Sequence, residues 1–187
     1  MAILPIITAP DPRLKIKATP VDRVDDDVRQ LMDDMLETMY VAPGIGLAAP
    51  QVGSKLRVIV LDVGEEVPEG HPKNSQSKKR NPMQLANPEI LWASEETLIA
   101  EEGCLSLPDH YADVKRPASV RLRYLDYENE VREIEASDTL GICLQHEIDH
   151  LDGRLFIDHI SALRRSMVLR KLKKAKKAEK SEKASIY

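Results

Sequence analysis

The order of hydrophobic patterns along the chain predicts an α+β fold, in which antiparallel sheets pack around a central helix. An amphipathic helical pattern comes first, short β-rich segments fill the middle, and two more helical patterns follow, the last at the C-terminus. Of the 187 residues, 42% are hydrophobic and 31% are charged, which is typical of a globular domain. We expect one folded domain, residues 1–172, and a basic, frayed tail, residues 173–187.

Several protein classes are disfavoured by composition. No hydrophobic run approaches the ~18 residues that a membrane span requires, and the first residues lack the basic start of a signal peptide. Two cysteines argue against a secreted disulfide scaffold, and 4% aromatic residues argue against a stacking platform for nucleic acids. We expect a cytoplasmic protein that neither enters a membrane nor recognises a nucleic-acid sequence.

The N-terminal helix is predicted from Val24 to Tyr40, where hydrophobic residues recur mainly at spacings of three and four. Aspartates at residues 25–27 lie in its first turn, where negative charge complements the helix dipole. Pro43 and Gly44 predict its end. We interpret its methionines as core residues.

Strands are predicted in the middle of the chain. Residues 56–63 are rich in β-branched side chains, and residues 120–127 and 131–136 alternate as the two strands of a hairpin do. Further short strands are predicted at residues 89–93, 97–101 and 111–115. Prolines, glycines and charged residues predict a long polar surface loop at residues 64–84.

Two more helices follow the strands. Asp138 is the expected cap of the second helix, and Gly153 is its expected stop. The third helix is predicted to begin near Ser161 and to become rich in lysine. Its expected docking residues are Leu163, Met167 and Leu172.

The strongest local motif, His146-Glu147-Ile148-Asp149-His150, lies inside the second helix. Residues four apart project from one helix face with their Cβ atoms ~6 Å apart, so His146 and His150 can bind one divalent cation. Glu147 lies ~100° around the helix from His146, beside the cation, where it can take a proton from water. The central helix is therefore predicted to be a metal-binding helix.

The motif leaves the third metal ligand open. The candidates are Cys143, Cys104, His110, His159 and nearby acidic residues. Cys143 shares the helix face of the two histidines, but a cation between them would lie ~7 Å from it along the axis, so Cys143 suits a cavity wall better. Cys104 follows a predicted strand, where a thiol can be presented to the helix from elsewhere in the fold.

A glycine-rich segment, residues 44–51 (GIGLAAPQ), carries a second signal. Its small residues allow a substrate backbone to approach closely, and Gln51 can direct an amide donor into a cleft. A tight packing loop explains the same residues equally well. The segment lacks the lysine that a phosphate-binding loop requires.

Residues 44–51 (GIGLAAPQ), 102–106 (EGCLS) and 145–151 (QHEIDHL) together resemble the three motifs of the peptide deformylase family, in the same order. The resemblance extends from about residue 10 to about residue 172. It implies a catalytic domain of that family, with metal ligands, an acid and base, oxyanion donors and substrate contacts. The ligands would be Cys104, His146 and His150, the acid and base Glu147, the donors Gln51 and the Leu105 backbone, and the substrate contacts Ile45, Gly46, Gly103, Ile142 and Cys143.

The resemblance also implies the reaction, which is hydrolysis of the formyl group from the N-terminal formyl-methionine of new polypeptides. One divalent cation is implied, Fe²⁺ in the cell, which Zn²⁺ or another divalent ion can replace. The substrate is expected to bind as an added strand. The resemblance also implies that the insertion at residues 64–84 is longer than in compact members of the family.

Two other functions fit parts of the sequence. A zinc endopeptidase shares the His-Glu-x-x-His helix but takes a further histidine or glutamate downstream, where His159 is the only histidine. The second alternative is a structural metal site in an RNA- or ribosome-binding module. The basic tail motivates it, because residues 161–187 hold ten lysines and arginines against two glutamates, a net charge of +8. The charge of that tail is explained by a solvated helix end. The functional alternative is that the tail docks weakly to the ribosome.

Overall fold

The computed structural model describes residues 2–65 and 79–184, with side chains as far as residue 178. Its helices are α1 (Asp26–Val41), α2 (Asp138–Leu151) and α3 (Ala162–Ala184). Its strands are β1 (Gly46–Ala48), β2 (Val58–Leu61), β3 (Met83–Ala93), β4 (Thr97–Cys104), β5 (Leu107–Pro117), β6 (Ser119–Leu125) and β7 (Val131–Ser137). Short 3-10 helices lie at Pro12–Lys15, Ala49–Val52 and Phe156–Asp158. The predicted α+β class is confirmed.

The strands form two antiparallel sheets that both contact α2. One sheet has the strand order β1-β2-β3-β6-β7, and the other consists of β4 and β5. Leu144 and Ile148 of α2 are buried in one hydrophobic cluster with Ile59 and Leu61 of β2 and Leu122 of β6. The second helix therefore lies at the centre of the fold, as predicted.

Helix α1 covers the other part of the larger sheet. Asp25 is its N-cap, and the Asp25 carboxylate accepts a hydrogen bond of 3.1 Å from the backbone N–H of Val28. Met32, Met35 and Met39 are fully buried. They pack in a cluster with Val58 and Val60 of β2, which confirms that these methionines are core residues.

The start of α2 differs by one residue from the prediction. Ser137, the last residue of β7, occupies the N-cap position, and Asp138 is already the first helical residue. Strand and helix follow each other without a loop, so the extended backbone of Ser137 also serves as the non-helical cap conformation. The Ser137 hydroxyl donates a 2.9 Å hydrogen bond to the Asp138 carboxylate.

Helix α3 docks through a different face from the one predicted. Leu172 is buried, but Leu163 and Met167 are 73% and 53% exposed. At ~100° per residue, Leu172 points about 180° away from Leu163, so the predicted residues do not share one face. Val168 and Leu169 complete the contact instead, in a cluster with Leu172.

The polar loop between β2 and β3 is shorter than predicted at its C-terminal end, because β3 begins at Met83. Residues 66–78 of that loop lie outside the described residues. The loop ends are held together by Asp62, whose carboxylate accepts hydrogen bonds from the backbone N–H groups of Gly64 and Asn81. β2 is also shorter than the predicted strand at residues 56–63.

In the part of the chain that the structure describes, no helix combines the length and the hydrophobicity needed to cross a bilayer. α3 is long enough, but it contains many lysines and arginines.

Candidate active site

Three side chains from two distant segments of the chain converge at one face of α2. His146 and His150 lie four residues apart on α2, and Cys104 ends β4. One ligand atom from each lies within 4.8 Å of the other two, and Cys104 Sγ is 3.2 Å from His150 Nε2. Donor atoms around a tetrahedral metal ion lie about 3.5 Å apart, given metal–ligand distances of ~2.0–2.3 Å. The three residues therefore fit a divalent cation.

The other candidate ligands make different contacts. The Cys143 thiol is buried and lies 3.6 Å from the carbonyl oxygen of Ile45. His110 Nδ1 contacts the Pro108 carbonyl oxygen, and His159 Nε2 contacts Asp149 at 2.7 Å. Among the residues with described side chains, only the group around Cys104 has the spacing of a metal site. An endopeptidase-like ligand set that includes His159 is therefore not formed.

His146 is held by a buried network of charged residues. Its Nδ1 lies 2.7 Å from the Glu102 carboxylate, so with Nδ1 protonated the imidazole donates to Glu102 and keeps Nε2 for a cation. Arg116 donates to both oxygens of Glu102 and, at 2.8 Å, to Asp149. Burial opposes ionisation of Glu102, but the hydrogen bonds from Arg116 and His146 outweigh it and lower its carboxyl pKa.

Local sequence patterns do not predict this network. Glu102 and Asp149 lie within the quoted motifs, but the motifs assign neither of them a role in holding His146, and Arg116 lies outside every motif. The antiparallel pairing of β4 with β5 places Glu102 and Arg116 on the buried face of the hairpin. The only signal in the sequence is a pair of opposite charges on adjacent strands, and its meaning depends on the register between them.

His150 has a different environment. It is 1% exposed, and burial, reinforced by the nearby His146, lowers its pKa well below the usual value. The neutral imidazole that results is the form that binds a metal ion. Its Nδ1 has no hydrogen-bond partner among the described residues.

Glu147 faces the cavity from α2. It is 4% exposed, and burial raises its pKa to about 7. Its Oε2 makes no hydrogen bond within the described part of the chain. A Cβ on Gly46 would lie 2.4 Å from Glu147 Oε1, so the close approach of β1 to this carboxylate requires glycine. A buried carboxyl group with a pKa near neutrality suits both the acceptance and the donation of a proton.

Gln51 lies on the cysteine side of the group. Its carbonyl oxygen accepts a 2.8 Å hydrogen bond from the Ala48 backbone N–H, which fixes the orientation of the amide. Its Nε2 donates to the Ser106 hydroxyl at 3.1 Å and lies 3.5 Å from Cys104 Sγ. Leu105 lies in the turn between β4 and β5 and lines the same cavity.

A cavity of about 580 Å³ opens beside these groups. β1 pairs with β2 along one edge, and within the described residues its other edge is not paired in a sheet. The residues that line the cavity include every residue for which a substrate contact is predicted. These residues are Ile45, Gly46, Gly103, Ile142 and Cys143.

The model of the polypeptide deformylase family matches residues 3–166 of this chain. The chain belongs to the polypeptide deformylase family. It is 57% identical over 173 residues to the peptide deformylase of Methylocella silvestris, covering 92% of this chain and 85% of the relative. It is 52% identical over 173 residues to that of Phenylobacterium zucineum, covering 92% of this chain and 96% of the relative.

Solved deformylase structures agree with this membership. The crystal structure of peptide deformylase from Ehrlichia chaffeensis matches with a TM-score of 0.86 and 38% identity, covering 95% of this chain and 99% of that chain. The structure of that enzyme in complex with actinonin matches with a TM-score of 0.84 and 40% identity, covering 94% of this chain and 98% of that chain. The chain is thus a metal-dependent deformylase, an enzyme that removes the N-formyl group from nascent peptides.

Proposed function

We propose that Cys104, His146 and His150 hold one divalent cation and that Glu147 is the acid and base of deformylation. The observation that carries this proposal is the convergence of the three ligand atoms within 4.8 Å. The buried carboxylate of Glu147 lines the same cavity. A thiolate with two imidazoles suits Fe²⁺ or Zn²⁺, and we propose Fe²⁺ as the ion in the cell. A cation held by these residues would supply Lewis-acid activation of water near neutral pH.

Glu147 moves the proton in the proposed reaction. Its carboxylate accepts a proton from the attacking water, whose oxygen bonds to the formyl carbon. The carbon–nitrogen bond then breaks, and Glu147 delivers the proton to the departing nitrogen. The products are formate and a polypeptide with a free N-terminal amine.

Two donors are proposed to stabilise the oxygen on which negative charge develops. One is the Nε2 amide of Gln51, and the other is the backbone N–H of Leu105. The orientation of Gln51 is already set by its hydrogen bond from Ala48, so little reorganisation is needed as charge builds. Loss of one such donor typically costs about 3 kcal/mol of transition-state stabilisation.

The substrate is proposed to lie in extended form between the edge of β1 and the end of β4. Ile45, Gly46 and Gly103 would pair with its backbone, as an added strand does. Ile142 and Cys143 would line the pocket for the methionine side chain. All five line the cavity next to Glu147.

The cellular setting is also a proposal. We propose that the enzyme acts in the cytoplasm and that its basic C-terminus docks weakly to the ribosome. The net charge of +8 in residues 161–187 and the nascent substrate support this idea. Cosedimentation with ribosomes should fall as salt rises and be lost when residues 171–187 are removed; binding that is insensitive to salt would contradict the proposal.

Metal analysis under anaerobic conditions tests the ligand assignment. Cys104→Ala should lose the metal, whereas Glu147→Ala should keep it and lose turnover. Cys143→Ala is the matched control, because the second cysteine lies on the cavity wall and its loss should leave the metal content unchanged. Retention of the metal by Cys104→Ala would contradict the assignment.

Formate release tests the reaction. Formyl-Met-Ala should release formate, and an internal peptide without a formyl group should not be cleaved. Cleavage of both would indicate an endopeptidase. Cleavage of neither, with metal bound in stoichiometric amount, would indicate a structural metal site.

A further inference from the structure

A second cavity lies between the β4–β5 hairpin and α3. Its volume is about 330 Å³. Glu101 and Tyr111 line both this cavity and the active-site cavity, so the two share a wall. We call the second cavity the hairpin–helix groove.

Tyr111 forms the boundary between the two cavities. It pairs with Gly103 across the hairpin, and a Cβ on Gly103 would lie 2.6 Å from the Tyr111 ring. The ring therefore lies directly over the backbone of β4, where the glycine leaves room for it. Because Tyr111 remains 67% exposed, a chain that leaves the active-site cavity can pass over the ring into the groove.

The two walls of the groove carry opposite charges. The hairpin wall presents Glu101 and Asp113, and the helix wall presents Arg164 and Lys171. No ion pair joins the two walls in the part of the chain whose side chains are described. Between the charges lies apolar surface, including Met167, which is 53% exposed.

We propose that the hairpin–helix groove binds the segment of the formylated polypeptide that follows the first few residues. The inference rests on the proposed function, because it extends the substrate path from the catalytic cavity across Tyr111. An extended chain advances ~3.3 Å per residue, so a peptide of several residues can span both cavities. Dipeptides are too short to reach the groove.

The chemistry of the groove suits a substrate whose sequence varies. Methionine side chains adapt their shape to different apolar partners. The acidic wall attracts basic side chains of a substrate, and the basic wall attracts acidic ones. The groove would therefore add affinity for long polypeptides while the methionine pocket provides selectivity.

Kinetics with peptides of increasing length test the proposal. kcat/KM should rise about fivefold between formyl-Met-Ala and a formylated peptide of about ten residues, mainly through KM. Met167→Glu should remove this gain and leave the value for formyl-Met-Ala unchanged. Val131→Glu is the control, because Val131 is also exposed and apolar but lies on β7, and it should keep the gain.

The outcomes separate this inference from the proposed function. If formyl-Met-Ala releases formate but length has no effect, the groove proposal fails and the deformylase mechanism stands. A length effect that survives Met167→Glu also overturns the proposal. If Met167→Glu keeps the length effect and weakens only cosedimentation with ribosomes, the groove binds the ribosome and not the substrate. No formate release from any peptide would remove both proposals.

A positional measurement complements the kinetics. A formylated peptide with a photoreactive phenylalanine analogue at about its fifth residue, bound to metal-loaded Glu147→Gln enzyme, should crosslink to α3 near Met167. Mass spectrometry identifies the crosslinked residue. Crosslinks confined to segments outside the groove would contradict the proposed path.

Discussion

Cys104, His146 and His150 form a group whose two sides are held in place by different kinds of interaction. On one side, His146 is anchored by Glu102, which is paired with Arg116 and through it with Asp149. On the other side, Gln51 is anchored by neutral hydrogen bonds to Ala48 and Ser106. We call these the ionic side and the amide side.

The difference matches what each side must do. A ligand such as His146 needs a fixed ring orientation, and a buried ion network holds it strongly because removal of one member leaves a buried charge unpaired. A donor to a developing oxyanion must stabilise charge that is absent in the ground state. A neutral amide with a fixed orientation meets that need, because it interacts more strongly with the charged oxygen of the transition state than with the uncharged oxygen of the substrate.

The largest effect is expected on the ionic side, from Glu102→Ala. Arg116 is 4% exposed and would retain only Asp149, so we expect a loss of about 3 kcal/mol in the free energy of unfolding. His146 would lose its anchor, and metal affinity should fall about 10–100-fold. Denaturant unfolding and metal competition measure these changes.

Glu101→Ala is the matched control, because Glu101 is the adjacent residue of β4 but is exposed and makes no contact with His146. It should leave both the unfolding free energy and the metal affinity unchanged. Equal losses in Glu101→Ala and Glu102→Ala would mean that the ionic side does not hold His146.

On the amide side, Gln51→Ala should lower kcat about 100-fold and leave the metal content unchanged, because it removes an oxyanion donor and no ligand. Steady-state kinetics with formyl-Met-Ala and metal analysis check the two parts separately. A variant that keeps kcat, or one that loses the metal, would show that Gln51 acts in another way.

Ser106→Ala should have a smaller effect on the same side. Ser106 is buried and accepts a hydrogen bond from Gln51, so its loss should cost about 1 kcal/mol of stability. kcat should fall only a few-fold, because Ala48 still orients the amide. A loss as large as that of Gln51→Ala would assign Ser106 a direct part in the reaction.

The smallest effect is expected at the exposed end of the ionic side, from His159→Gln. His159 contacts Asp149, but Arg116 also binds Asp149, so we expect less than about 1 kcal/mol of destabilisation and metal affinity within about threefold. Competition for the metal measures this change in metal affinity. A tenfold loss would show that the network transmits its effect from the surface to His146.

Local pattern was enough to predict much of this molecule. The spacing of His146 and His150 predicted a shared helix face, and the methionines of α1 were recognised as core residues from their period alone. The glycine-rich segment and Cys104 were placed together only through the family resemblance. Their proximity depends on strands far apart in the chain, which no local pattern encodes.

The errors have a common physical origin. Glu102 and Arg116 meet because β4 pairs with β5 in one particular register, which no local sequence pattern specifies. The predicted docking residues of α3 are all hydrophobic, but they do not share one angular position around the helix. Both features depend on which surface an element presents to the rest of the fold.

The junction between β7 and α2 has a consequence for how the molecule opens. Because Ser137 ends the strand and caps the helix, the histidine-bearing helix cannot tilt without pulling on the sheet. Backbone amides of α2 should therefore exchange with deuterium only when the whole domain unfolds, whereas the lysine-rich turns of α3 exchange through fraying. Such a junction would keep both imidazoles in place even when the outer turns of α3 open.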